Sequence, residues 1–112
     1  MPRYLISFDD GAMTFPEEEL PEVAEASYAV VREAREAAVW VFGGGLERQR
    51  ASVVATDGTV TDGPYPETKA VLGGFAVIDV PSREDALEWA AKIAAACRCA
   101  QEVREIMHDP TV

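Results

Sequence analysis

The spacing of apolar residues divides the chain into strand-like and helix-like runs. Alternating or continuous short apolar runs predict strands at 3–8, 39–46, 51–56, 59–61, 75–80 and 102–106. Apolar residues instead recur every three or four positions along Leu20–Ala37 and again from Ala86 to Cys97. That spacing predicts two amphipathic helices, which would bury one stripe each.

Local signals mark where these elements begin and end. Pro21 suits the first turn of the first helix, and Ser82-x-x-Asp85 is a variant of the capping box that starts the second. Asp57-Gly58 predicts a hairpin turn between two short strands. The glycines at 43–45 predict a bulge that bends the strand in which they lie.

The order of the elements predicts one α+β domain spanning residues 1–112. Strand, helix, strand, an inserted hairpin, then strand, helix, strand is the ferredoxin-like βαββαβ pattern, in which both helices cover one sheet face. The other face should then be apolar as well, and we assign to it Leu5, Val39, Val41, Ala76 and Ile78. A second copy of the chain would cover that face, so we expect a symmetric homodimer, a dimeric α+β barrel.

Composition and charge exclude several classes of function. The chain has 112 residues and a net charge of -10, and such a surface repels nucleic acid and anionic membranes. No apolar run is long enough to span a bilayer and no secretory signal is visible, so the expected location is cytoplasmic. Cys97 and Cys99 are then expected to be reduced thiols, and no metal or other cofactor is implied.

The segment Asp62–Lys69 carries the densest candidate chemistry. Its prolines and glycine stiffen it, and it combines two carboxylates, a phenol, a hydroxyl and an ammonium group. A lysine beside a carboxylate can bind an anion or take part in proton transfer. The competing interpretation is a rigid connection in which Asp62 caps its own turn and Lys69 pairs with Glu67 on the surface.

We assign roles on the binding interpretation of that segment. Lys69 would hold the ligand, and Glu67 or Asp62 would act as the base. The remaining ligand-binding candidates are Tyr65 and Thr68 in the segment, Arg48 on the preceding strand edge, and Tyr4 or Phe75 in the sheet centre. Arg48 with Arg50 would bind a carboxylate or phosphate, or would simply be solvated edge charges that deter aggregation.

The motifs around this segment carry a family resemblance. The chain resembles DGPF-type proteins of the YCII-related family in Asp62-Gly63-Pro64-Tyr65, in Glu67-Thr68-Lys69 and in Leu72-Gly73-Gly74-Phe75. Tyr65 stands where the family usually has phenylalanine. Weaker matches are Gly44-Gly45-Leu46, Asp85–Ala90 and Glu102-Val103-Arg104, so the resemblance covers nearly the whole chain.

The resemblance implies a ferredoxin-like fold that dimerises as an α+β barrel, but it names no reaction. Some relatives carry a His–Asp pair proposed to be catalytic, whereas the only histidine here is His108, near the end of the sequence. Other relatives lie beside or are fused to extracytoplasmic-function sigma factors, which implies regulation.

Two functions follow from these patterns. The first is a cleft beside the second helix and the Asp62–Lys69 segment that binds a small anionic or aromatic metabolite, with proton transfer or elimination as the reaction class to test. The second is a non-catalytic regulatory module that binds a basic protein through the acidic segment from Asp9 to Glu36.

Overall fold

A computed structural model describes residues 1–47, 51–63 and 72–112. These residues form six strands and two α-helices, with one turn of 3-10 helix at Glu17–Glu19. The strands are β1 (Arg3–Asp9), β2 (Trp40–Gly45), β3 (Ser52–Val54), β4 (Val60–Asp62), β5 (Leu72–Asp79) and β6 (Glu102–Glu105). The helices are α1 (Leu20–Glu36) and α2 (Arg83–Cys97).

Four of the strands form one antiparallel sheet in the order β2-β5-β1-β6. The two central strands, β1 and β5, pair along their whole length from Arg3 opposite Asp79 to Phe8 opposite Gly74. With the hairpin set aside, this order is that of the ferredoxin-like α+β fold. The predicted ferredoxin-like α+β fold of the single chain is therefore confirmed.

The hydrophobic core lies between one face of this sheet and α2. Tyr4 and Ile6 of β1 and Ala76 and Ile78 of β5 are all at most 6% exposed, and Ala86 and Ala90 of α2 pack against them. Because residues paired across strands share a face, these four strand residues define the helix side of the sheet. α1 packs beside α2 and buries Val23 and Ala34.

The composition of the second sheet face corrects part of the sequence interpretation. We assigned Ala76 and Ile78 to that face, but both belong to the core under α2. Their neighbours Phe75 and Val77 face the other way, together with Leu5, and all three are half-buried. The error was one of register, since a shift of one residue along a strand exchanges its two faces.

Helix ends follow the predicted signals, with two exceptions to the usual residue choice. Ser82 caps α2, because its hydroxyl accepts a hydrogen bond from the backbone of Asp85. Both helices end on a left-handed residue that is not glycine: Ala38 after α1 and Arg98 after α2. In each case the following amide reaches back to a carbonyl of the last turn, Ala34 and Ala94 respectively, as in a Schellman motif.

The inserted hairpin forms its own small sheet. β3 and β4 pair with each other, and within the described residues neither joins the larger sheet. The bulge predicted at the glycines lies slightly earlier in β2, where the pairing with β5 shifts register between Trp40 and Phe42. Gly43, Gly44 and Gly45 themselves pair regularly with β5.

Candidate functional site

A large cavity lies between the sheet and the two helices. Its volume is about 1100 Å³, enough for a small organic molecule. β1, β2 and β5 supply one side, α1 supplies the facing side, and the last two turns of α2 supply an end. The described residues that line it are Ile6, Phe8, Met13, Ser27, Tyr28, Val30, Val31, Arg32, Arg35, Trp40, Val41, Phe42, Gly43, Gly44, Gly45, Phe75, Ala76, Ile93, Ala96, Cys97 and Gln101.

Glycines create much of this space on the sheet side. β2 contributes Gly43, Gly44 and Gly45 to the lining, so three successive positions carry no side chain. Behind them, Gly74 lets the Phe8 ring lie flat on the sheet, because a Cβ at Gly74 would be 2.6 Å from that ring. Because these glycines have no side chains, space remains between β2 and α1 that larger residues would fill.

Aromatic side chains form the walls of the cavity. Phe8 and Trp40 belong to its lining and lie on the helix side of the sheet, whereas Phe42 and Phe75 also belong to the lining but lie at strand positions that face away from α2. Phe42 and Phe75 meet edge to face, with ring centroids 5.2 Å apart and an angle of 81° between the rings. The Phe8 and Trp40 rings suit a flat, apolar ligand, since aromatic rings gain energy from edge-to-face and offset-stacked contacts.

The charges around the cavity are strongly biased. Two arginines, Arg32 and Arg35, belong to its described lining, and no aspartate or glutamate does. This contrasts with the chain as a whole, in which Asp and Glu outnumber Lys and Arg by 20 to 10. The Arg32 guanidinium is held by the Glu25 carboxylate at 2.7 Å, whereas Arg35 makes no ion pair with any described residue.

Neutral polar groups gather where α1 approaches the end of α2. The Ser27 hydroxyl donates to the Val23 carbonyl at 2.9 Å and lies 3.5 Å from the Cys97 sulfur. Gln101 donates from its side-chain amide to the Cys99 carbonyl. Burial, and then the neighbouring Cys97 thiol, raise the pKa of Cys99, so this thiol is held in its neutral form.

Three of the residues predicted for the site are described by the structure, and of these Phe75 belongs to the described lining of the cavity. The other two are Tyr4 and Asp62. Tyr4 is 2% exposed in the core, and its hydroxyl donates to the Glu105 carboxylate at 3.2 Å. Asp62 is exposed at the end of β4, in the inserted hairpin. Neither belongs to the described lining of the cavity. The other predicted residues, Arg48, Tyr65, Glu67, Thr68 and Lys69, lie outside the described residues.

The sequence interpretation missed the arginines of α1. It treated this helix only as part of the acidic segment from Asp9 to Glu36 and gave Arg32 and Arg35 no role. A signal was present, since Ser27, Val31 and Arg35 follow one another at intervals of four residues and therefore share a helix face. That face was expected to be filled by the core, and only the gap above the glycines of β2 turns it into a cavity wall.

The described residues contain no group of three or more His, Cys, Asp or Glu side chains placed to hold a metal ion. Neither described helix has the length and apolar character needed to cross a membrane.

Comparison with known proteins assigns the chain to a family. The family model of the YCII-related domain matches residues 4–108. The chain belongs to the YCII-related family. No curated protein matches it. Among solved structures, it is similar to a 5-chloro-2-hydroxyhydroquinone dehydrochlorinase from Burkholderia phenoliruptrix in complex with 2,5-dihydroxybenzoquinone, with a TM-score of 0.54 and 16% identity over 99% of this chain and 98% of that one. At this identity the similarity shows a shared fold.

Proposed function

We propose that this YCII-related protein binds a small anionic aromatic molecule in the cavity between α1 and the sheet. The observation that carries the proposal is the charge of the lining in the described part of the chain, where arginines occur and carboxylates do not, in a protein of net charge -10. A negatively charged molecule is repelled by most of this surface, and the cavity is a place where it meets positive charge against aromatic walls.

The shared fold supports the same class of ligand. The dehydrochlorinase of similar fold was solved with 2,5-dihydroxybenzoquinone, a planar ring with acidic hydroxyl groups. A ligand of that kind would match the glycine strip of β2, the rings of Phe8 and Trp40, and the arginines of α1. The alternative function, a regulatory module that binds a basic protein, receives no support from these comparisons.

Turnover by proton transfer or elimination extends this proposal. The groups assigned to it from the sequence are Lys69 as the ligand-holding cation and Glu67 or Asp62 as the base. A carboxylate that removes a proton from a ring carbon or hydroxyl, beside an ammonium that stabilises the resulting anion, is sufficient for proton transfer. Elimination requires in addition a substrate whose anion expels a leaving group with its bonding electrons, and that group departs as an anion.

A homodimer is part of the proposal. Leu5, Phe75 and Val77 on the face opposite α2 are only half-buried, and Phe42 is 58% exposed. A second copy placed face to face would cover this patch. Light scattering after size exclusion should give twice the chain mass, and Val77→Asp should give the monomer; a wild-type monomer at high concentration would contradict the dimer.

Ligand binding is tested by a thermal-shift screen of aromatic acids, phenols and quinones, with 2,5-dihydroxybenzoquinone as the first probe. Molecules that bind the folded state raise its melting temperature, by an amount that grows with ligand concentration. We expect several planar anions to do so. If no member of the screen shifts the melting temperature, the proposal is wrong.

Matched variants on α2 locate the binding. Ala96 belongs to the cavity lining, whereas its neighbour Ala95 is exposed and does not. Ala96→Leu should fill part of the cavity and reduce the ligand-induced shift, while Ala95→Leu should keep it. Equal shifts in both variants would place the ligand elsewhere.

A further inference from the structure

The positive and negative residues of α1 lie on different sides of the helix. The helix carries four glutamates and two arginines, and only the arginines line the cavity. Three of the glutamates form ion pairs: Glu22 with Arg98, Glu33 with Lys92 of α2, and Glu25 with Arg32. The side of α1 that faces the sheet is therefore positive, while the rest of the helix is acidic.

The two arginines differ in how they are held. Arg32 donates to Glu25 at 2.7 Å, which neutralises its charge locally. Arg35 has no ion pair or side-chain hydrogen bond with any described residue. Along the helix, the residues that could reach it from the preceding turn are Val31 and Arg32, neither of which is acidic.

Stability alone does not account for this placement. Two arginines three residues apart on one helix face repel each other. A cation in the last turn is favoured by the helix dipole, but that benefit does not depend on which side of the helix the cation occupies. Arg35 occupies the side that lines the cavity, where an arginine without a partner among the described residues can bind a ligand.

We infer that Arg35 recognises the negative charge of the ligand in this cavity and so determines its preference for aromatic acids over neutral aromatic molecules. The inference rests on the proposed function and names the residue that binds the negatively charged group of the ligand. A planar guanidinium forms two parallel hydrogen bonds to a carboxylate, or to adjacent oxygens of an acidic quinone, and also stacks on aromatic rings. Arg32, occupied by Glu25, contributes less.

The test compares charged and neutral ligands of one shape. Aromatic carboxylates and their carboxamides, with 4-hydroxybenzoate and 4-hydroxybenzamide as the first pair, are measured by calorimetry against the wild type and Arg35→Gln. We expect the wild type to prefer the acid. The variant should bind the acid about 10- to 100-fold more weakly, which is the usual effect of losing a hydrogen-bonded charge, and should bind the amide unchanged.

Two further variants separate a specific contact from a general change in charge. Arg83→Gln removes the same charge from an exposed position on α2 outside the described cavity lining, and should leave both affinities unchanged. Arg35→Lys keeps the charge but not the planar pair of donors, and should recover only part of the preference. Unliganded melting temperatures confirm that each variant folds.

Each outcome decides the matter. Loss of the acid preference in Arg35→Gln, with the preference kept in Arg83→Gln, supports the inference. Equal affinities of the wild type for acid and amide, or an undiminished preference in Arg35→Gln, overturn it and leave the cavity as a site for aromatic ligands. If no pair binds the wild type at all, the proposed function falls together with it.

Discussion

A side chain at Gly43 would collide with the backbone of Phe75 on the neighbouring strand. A Cβ there would lie 2.4 Å from the Phe75 carbonyl oxygen and 2.8 Å from the Cα of Ala76. The requirement for glycine is therefore steric, and it falls just after the bulge that brings β2 close to β5. At Gly44 and Gly45, by contrast, a Cβ would meet nothing within 4 Å.

Gly43→Ala should consequently destabilise the protein while Gly44→Ala should not. Backbone atoms cannot move aside as a side chain can, so we expect a loss of about 1–3 kcal/mol for Gly43→Ala. Gly44→Ala should be neutral or should stabilise slightly, because glycine is a poor strand residue. Urea unfolding of the two variants measures the difference, and equal stabilities would show that the strands separate easily at this point.

The left-handed residue after α1 offers a site for stabilisation. Ala38 has φ of 60°, a conformation that costs a residue with a Cβ about 1–2 kcal/mol. Ala38→Gly removes that penalty but adds the entropy that glycine loses on folding, which leaves an expected gain of about 0.5–1 kcal/mol.

The adjacent Ala37 is the matched control for this prediction. Its φ of -78° is right-handed, so Ala37→Gly has no strain to relieve and should lose about 0.5–1 kcal/mol. Thermal or urea unfolding compares the two variants. A stability loss of similar size in both would contradict the left-handed cap.

The fold could be predicted from the sequence more fully than the site, because the two predictions depend on different information. Strand and helix positions depend on local periodicity, and β1, α1 and the Ser82 cap of α2 occur where that periodicity predicts them. The faces of β5 did not follow, since Ala76 and Phe75 are both apolar and neither marks the core side. The cavity exists because the glycines of β2 have no side chains to fill the space beneath α1. The spacing of apolar residues along α1 predicts only that this face of the helix packs in the core.

Tyr4 should make the stability of the protein depend on pH in alkaline solution. Its burial, followed by the Glu105 charge and the hydrogen bond to Glu105, raise its pKa above the ordinary value of 10.0. The folded state therefore favours the neutral phenol. The resulting stabilisation is fully present below pH 10 and is lost as the pH rises through the higher pKa of the folded state.

Tyr4→Phe should remove this contribution to the pH dependence. Thermal melts of the wild type and the variant, from neutral pH to above pH 10, should show a steeper alkaline loss of stability in the wild type. Tyr28→Phe serves as the control, because the Tyr28 side chain is 61% exposed, and it should follow the wild-type curve. Parallel curves for Tyr4→Phe and the wild type would be evidence against a buried neutral phenol.

The chain contains two lysines, which allows a clean test of the catalytic segment predicted from the sequence. Lys92 lies on α2, paired with Glu33 and over the ring of Trp89 at 4.8 Å, so its role is on the surface. Lys69→Ala should abolish the thermal shift produced by an anionic ligand while leaving the unliganded melting temperature and the oligomeric state unchanged. Lys92→Ala should keep the shift, with at most about 1 kcal/mol lost from an exposed ion pair. If Lys69→Ala instead unfolds the protein, the segment is a structural connection. If the variant keeps the full ligand-induced shift, Lys69 does not bind the ligand and Arg35 alone binds its negative charge.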